Sequence, residues 1–219
     1  MKLYTYFRSS AAYRVRIALN LKGAAYESVP VHLTRAGGEH RGGAYLALNP
    51  QGLVPALEDG GAVLTQSLAI IEYLDARFPE PALLPADALE RARVQAFAHV
   101  IACDTHPLNN LRVLTYLRAE LAQPEEAVRR WYRHWVAESL RACEALVARD
   151  GAEYCCGRAL SLADVCLVPQ IYNARRFDCD LAPYSGLVAL ADRLAALDAF
   201  ARAAPENQPD APASPGVSS

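Results

Sequence analysis

Five short stretches of this sequence carry side chains able to do chemistry. The first is Arg8-Ser9-Ser10, where a strand-like run, Leu3–Phe7, meets a helical one, Ser10–Lys22. A helix start presents unpaired N–H groups and about half a positive charge. An anion or thiolate there gains from several tenths to about 2 kcal/mol, and a serine hydroxyl adds a hydrogen bond. The same serines also read as a plain N-cap. The second stretch is Val54-Pro55, between Asn49-Pro50-Gln51-Gly52 and a short apolar run. A proline opening a strand marks either a special backbone geometry, a cis bond included, or an ordinary trans-proline on an edge. In the first case Val54 can turn its N–H and C=O toward a peptide-like ligand, which adds as a further strand. The third is Gln66-Ser67, a second helix start, suited to a carboxylate or again to simple capping. The fourth, Asp104-Thr105-His106-Pro107-Leu108-Asn109-Asn110-Leu111-Arg112, puts polar residues into an apolar helical pattern, and Pro107 kinks any helix through it. It reads as a cleft wall or as a satisfied buried polar network. The fifth, Arg175-Arg176, closes a helix, where arginines also favour the negative end of the helix dipole.

The elements that must hold these residues differ along the chain. Up to about residue 82, short apolar runs alternate with helices. Tyr26–Val31 is strand-like; Pro55–Glu58 and Ala62–Leu64 form a hairpin around Asp59-Gly60-Gly61; Ser67 caps a helix that runs to Arg77. Gly23 sits where a helix C-terminus wants glycine. The order strand–helix–strand, then strand–strand–helix, is a small α/β layer with a mixed sheet. Two helix starts and a proline-led strand in one such layer suit a ligand with several separate polar groups. After a linker at 83–87 the pattern is helical throughout 88–206, with helices expected at Ala88–Ala122, Pro124–Arg149, Leu162–Arg176 and Leu187–Ala203. Val128, Trp131, Tyr132, Trp135, Ala142, Cys143 and Leu146 recur at helical spacing and read as core. Ser161-Leu162-Ala163-Asp164 is a capping box with Asp in place of Glu. Residues 207–219, rich in Pro, Ser and Gly, read as a frayed tail.

Hydrophobic residues are 53% of the 219 and charged residues 21%, enough apolar material for a packed core. A formal net charge of −2 gives no pull toward nucleic acid or an anionic membrane. No secretory h-region and no run of about 18 apolar residues is present, so a cytoplasmic protein is expected. The six cysteines include no C-x-x-C spacing, and Cys155-Cys156 are adjacent. That suits neither a zinc site nor a disulfide framework, and free, mostly buried thiols are expected.

Ser9-Ser10-Ala11-Ala12-Tyr13-Arg14-Val15-Arg16-Ile17-Ala18-Leu19 resembles the zeta-class glutathione transferase signature, written S-S-C-x-W-R-V-R-I-A-L. Asn49–Leu57, Gln66–Leu74, Leu162–Gln170 and Arg176-Phe177 are also similar to that class, and the likeness runs from Met1 to about Asp210. The resemblance implies an α/β thioredoxin-like N-terminal domain, an all-α C-terminal domain and a homodimer. It implies glutathione as cofactor and maleylacetoacetate isomerase activity in aromatic amino-acid catabolism, or that of its near relative maleylpyruvate isomerase. A broader conjugating or dehalogenating transferase and a non-catalytic glutathione-binding module are the alternatives. By the same resemblance the thiol-activating serine is Ser9, supported by Ser10. Glutathione contacts fall on Gln51, Val54, Gln66, Ser67, His106, Asn110 and His40, and substrate carboxylates on Arg8, Arg112 and Arg176. Ala11 and Tyr13 replace the signature's cysteine and tryptophan. Leu111-Arg112 stands where some maleylpyruvate-type members carry two arginines, which favours maleylacetoacetate.

Overall fold

The computed structural model describes residues 1–212. Its described residues form two compact units, one of Met1–Pro81 together with 197–212, the other of Ala82–Ala196.

In the first unit, β1 (Lys2–Thr5) leads into α1 (Ser10–Leu21), then β2 (Glu27–Pro30), a short α2 (Gly43–Leu48), β3 (Ala56–Asp59), β4 (Ala62–Thr65) and α3 (Ser67–Arg77). The sheet order is β2-β1-β3-β4, with β1 parallel to β2 and antiparallel to β3. This is the expected thioredoxin-like layer; only α2 lacked a clear periodic signal. The α1 helix buries Ala12, Val15, Ile17, Ala18 and Leu19 almost completely, together with Arg14 and Arg16. It stops where Gly23 takes a φ of 60° and Ala24 N–H returns to Leu19 C=O at 3.0 Å, as a left-handed C-terminal glycine allows.

The second unit is helical: α4 (Ala88–His99), a π-helical segment (Val100–Thr105), α5 (Leu111–Ala119), α6 (Glu125–Asp150), α7 (Leu162–Arg176) and α8 (Ser185–Ala195). The single helix expected over 88–122 is therefore broken. Pro107 has no N–H to donate and its ring excludes the preceding turn's carbonyl. The ladder widens ahead of it, with His106 N–H reaching Ile101 C=O at 3.0 Å and Thr105 Oγ1 donating to Val100 C=O at 2.8 Å. A new helix starts where Asn110 Oδ1 accepts from Arg112 N–H at 3.1 Å. The supposed linker is packed: Leu83 and Leu84 are buried, and Leu83 C=O accepts from Leu162 N–H at 2.9 Å. On α6 the buried stripe runs through Val128, Tyr132, Val136, Leu140 and Cys143. The two tryptophans flank it, their rings 5.7 Å apart edge to face. None of the six cysteines is in a disulfide, and three, Cys143, Cys155 and Cys166, are buried. Among the described residues, no helix is long and apolar enough to cross a membrane.

The helix expected over 187–203 is also two. The backbone is extended at Leu197, and α9 (Asp198–Ala203) packs on α1 in the first unit. Its Phe200 and Ala203 are fully buried. Polar groups of α1 hold it: Asn20 Nδ2 donates to Ala199 C=O at 2.8 Å, and Arg16 Nε to Ala203 C=O at 3.0 Å. The frayed tail is corrected as far as it is described. Asp210 Oδ2 accepts from Phe7 N–H at 2.9 Å, and Ala211 packs on the cluster around Tyr6 and Phe7. Residues 213–219 lie outside the described residues.

The capping box of α7 forms as read. Asp164, fully buried, accepts from Ser161 N–H at 2.8 Å, Ser161 Oγ at 3.0 Å and Cys155 N–H at 3.0 Å. Asp164→Ala leaves these donors without their acceptor. It is expected to lower unfolding free energy by about 3 kcal/mol, read as a reduced urea midpoint with an unchanged slope. A loss under a tenth of that would remove the capping role.

Candidate active site

Sheet register gathers the expected residues of the first unit. Tyr4 on β1 pairs with Ala56 on β3, Ala56 with Thr65 on β4, and Thr5 with Pro30 on β2. The ends of β1, β2 and β4 and the start of β3 therefore lie at one end of the sheet. Ser9, the loop bearing His40, Val54 and Gln66-Ser67 all follow or precede those ends.

Ser9 is the N-cap of α1, with its Oγ accepting from Ala12 N–H at 3.2 Å. Capping and chemistry are thus compatible, because an oxygen that accepts from the backbone still has its own proton to donate. No acidic residue sits in the first turn of α1 to cancel its positive end. Ser10, the first helical residue, is buried. Arg8 is exposed, with its guanidinium 4.9 Å from the Phe7 ring centroid.

The Val54-Pro55 bond is cis. Tyr45 Oη and Asn49 Nδ2 donate to Leu53 C=O at 2.6 and 2.7 Å and fix the residue before Val54. Burial pushes the Tyr45 phenol up to about 12, so it stays a donor at neutral pH. The Val54 side chain packs with Tyr6, Phe7, Val31 and Tyr45. Among the described residues the Val54 backbone makes no hydrogen bond, which leaves its N–H and C=O available to a strand-like ligand.

Gln66 holds the N-cap position of α3 with a φ of 69°, a left-handed backbone that a non-glycine residue keeps only when its surroundings impose it. Ser67 is therefore the first helical residue, not the cap that its sequence position had implied. Gln66 Nε2 donates to Gln51 Oε1 at 2.7 Å, which brings those two expected contacts together. Ser67 Oγ accepts from Arg14 Nη1 at 3.4 Å, so a buried cation lies behind the start of α3. His40 is buried, and burial, with Arg41 next to it, holds its imidazole below the ordinary value. Its Nδ1 is buried without a partner among the described residues. Gly38, at φ 101°, makes room for this ring: a Cβ there would collide with His40 Cε1.

In the second unit, His106 ends the π-helical segment, and its Nε2 lies 3.3 Å from Asn110 Nδ2. Asn110 caps α5, and Arg112 is exposed in its first turn. These three are brought together by the helix break. Arg176 is exposed at the end of α7, with its guanidinium 4.6 Å from the centroid of the Phe177 ring, which itself stacks on Tyr132 at 3.7 Å, and Asn109 Nδ2 donates to Tyr132 C=O at 3.4 Å. Sequence reasoning assigned no role to Arg14, Tyr45 or Asn49. The signal for Arg14 was a charged residue, one of two, inside a mostly apolar helix; Tyr45 and Asn49 had none.

A βαβ–ββα layer with two helix starts and a cis-proline strand opening at one sheet end, followed by an all-helical unit, defines the architecture of the glutathione transferases. The family model "Glutathione S-transferase, N-terminal domain" matches residues 3–82. A probable maleylacetoacetate isomerase of Vibrio cholerae is 56% identical over 95% of this chain and 97% of its own. The holo structure of a maleyl pyruvate isomerase, a bacterial zeta-class enzyme, superposes with a TM-score of 0.93 at 50% identity, covering 97% of this chain and all of that one. A maleylacetoacetate isomerase from Methylobacterium extorquens AM1, solved with bound malonate and glutathione, gives 0.90 at 42% identity, over 97% of this chain and all of its own. The chain belongs to the zeta-class glutathione transferase family.

Gly38→Ala strains a left-handed position and displaces His40. The imidazole is expected to titrate upward toward its ordinary value as it moves into water, with a stability loss of about 1–2 kcal/mol. Histidine NMR titration checks this; an unmoved His40 would show that the ring does not depend on Gly38.

Proposed function

We propose that the chain is a glutathione-dependent cis–trans isomerase of a maleyl keto acid, with maleylacetoacetate as substrate, working as a homodimer in the cytoplasm. The observation that carries the reading is Ser9, whose oxygen is used by the helix cap while its proton stays free to donate, at a helix start with no acid in its first turn. The residues present fit a tripeptide thiol. Val54 offers an unpaired backbone edge, Gln66 and Ser67 stand at a second helix start backed by Arg14, and His40 Nδ1 lacks a partner.

Magnitudes decide how Ser9 must act. A free thiol titrates near 8.5, and lowering that by about two units takes about 2.7 kcal/mol. The helix start supplies at most about 2 kcal/mol, and less where exposed. A hydrogen bond to a charged acceptor adds roughly 1.5–3 kcal/mol. The helix term falls short alone, and the hydroxyl covers the need only at the top of its range, so hydroxyl and helix act together. When bound, glutathione supplies a thiolate that adds reversibly to the cis double bond and leaves after the bond has turned. The protein's part is to hold the sulfur ionised with Ser9 and Ser10, and to hold the peptide with Gln51, Val54, Gln66, Ser67, His40, His106 and Asn110. Arg8, Arg112 and Arg176 hold the substrate carboxylates and the charge that develops on the conjugated carbonyl. Leu111-Arg112 stands where some maleylpyruvate-type members carry two arginines, and on that departure maleylacetoacetate is the substrate proposed.

Turnover of maleylacetoacetate and of maleylpyruvate, followed in the ultraviolet with and without glutathione, tests this. Turnover is expected only with glutathione, faster on maleylacetoacetate, with free thiol constant throughout; steady loss of thiol would mean a conjugating transferase instead. Ser9→Ala is expected to cut kcat at neutral pH by roughly 100-fold and to change the glutathione Kd by only a few-fold. Normal turnover by that variant would remove Ser9 from the mechanism.

A further inference from the structure

The turn that carries Ser9 is held from both sides by residues far from it in sequence. Tyr6 C=O accepts from Ser9 N–H at 2.9 Å, closing a turn through Phe7 and Arg8. Within that turn, Phe7 N–H donates to Asp210 Oδ2 at 2.9 Å, and Phe7 C=O accepts from Arg16 Nη2 at 3.0 Å. Arg16 Nη1 adds Thr5 Oγ1 at 3.0 Å and Tyr6 C=O at 3.4 Å, and its Nε ties the same guanidinium to Ala203. Arg16 is fully buried; burial lowers its pKa to about 10, which still leaves it charged at neutral pH. The other Asp210 oxygen is buried and has no hydrogen-bond partner among the described residues. The carboxylate is thus held by one N–H group and by the field of Arg16. Ala211 completes the closure, packed on the cluster that includes Phe7 and Val54.

We propose that Arg16 and Asp210 are positioning residues of the isomerase: together they clamp the Phe7 peptide, and through it fix the Ser9 hydroxyl where it meets the sulfur. The C-terminal segment is then part of the catalytic apparatus, although it touches no substrate. This rests on the reading of Ser9 given above. A misplacement of about 1 Å at a reacting group costs on the order of 100-fold in rate, so a turn left free to shift by a fraction of that has a measurable effect.

Charge and position predict opposite signs. Removing a carboxylate near a thiolate lowers the thiol pKa if the carboxylate acts only through its field. It raises the pKa if the carboxylate acts by holding Ser9 in place. Full-length Asp210→Ala is titrated with bound glutathione, following thiolate absorbance against pH. The bound thiol is expected to titrate about one unit higher than in the unaltered protein, with kcat down roughly tenfold and the KM for glutathione within a factor of about two. Asp210→Asn, which keeps an acceptor for Phe7 N–H, is expected to restore most of kcat. Should Asp210→Ala not fold, Asp210→Glu keeps the charge and displaces the acceptor; a raised thiol pKa with lowered kcat supports the clamp. An unchanged or lowered thiol pKa in the variant that folds overturns it. Failure of the Ser9 reading itself would appear in the unaltered protein, whose bound thiol would titrate like free glutathione, and that result would sink both.

Discussion

A sulfur atom stays ionised at neutral pH only where donors already aimed at it replace the water it gives up. In the site proposed for this chain those donors converge on one point, the junction of β1 and α1. The helix brings a partial positive charge and the Ser9 hydroxyl brings a proton that the cap does not use. The helix charge falls short by itself, so the distance at which the hydroxyl joins it matters. Much of the first unit serves that distance. The β1 strand lies inside the sheet, paired on both sides, and α1 is closely packed, with Ala12, Val15, Ile17, Ala18 and Leu19 fully buried.

Two arginines are buried on α1, on different faces, and their cost shows what they are for. Burying a guanidinium is unfavourable unless its donors are met. Arg16 spends its donors on backbone and hydroxyl oxygens of β1, of the turn that follows and of α9. Arg14 reaches the start of α3 through Ser67. One helix thus reaches both helix starts from behind, which gives the R-V-R stretch of the signature a physical meaning: two cations, two residues apart, each hydrogen-bonded near a different helix start.

The layer architecture was legible because its signals are local. The Asp-Gly-Gly hairpin, Gly23 after α1, the capping box at Ser161 and the period of α6 each depend on a few neighbouring residues. The misses share the opposite property. The break in the helix after His99 was foreshadowed by Pro107, but the wider turn upstream of it depends on where the next helix can dock. The path of the chain after Ala196 depends on Phe200 finding its place on α1, more than 180 positions away in sequence, which no window of periodicity reports. Asp210 looked like part of a polar tail because its partner is Phe7 N–H, a group with no side-chain signature. Within the candidate site, Ser9, Val54 and Gln66-Ser67 were readable as helix starts and a strand opening. Tyr45 and Asn49, which lock Leu53 beneath Val54, were not, since their task is set by tertiary contact alone.

The most direct measurement is a crystal structure of the protein with glutathione bound. The account predicts the sulfur within hydrogen-bond distance of Ser9 Oγ, facing the first turn of α1, with the cysteinyl backbone paired to Val54. A sulfur turned away from residue nine, or a tripeptide seated elsewhere in the chain, would contradict it.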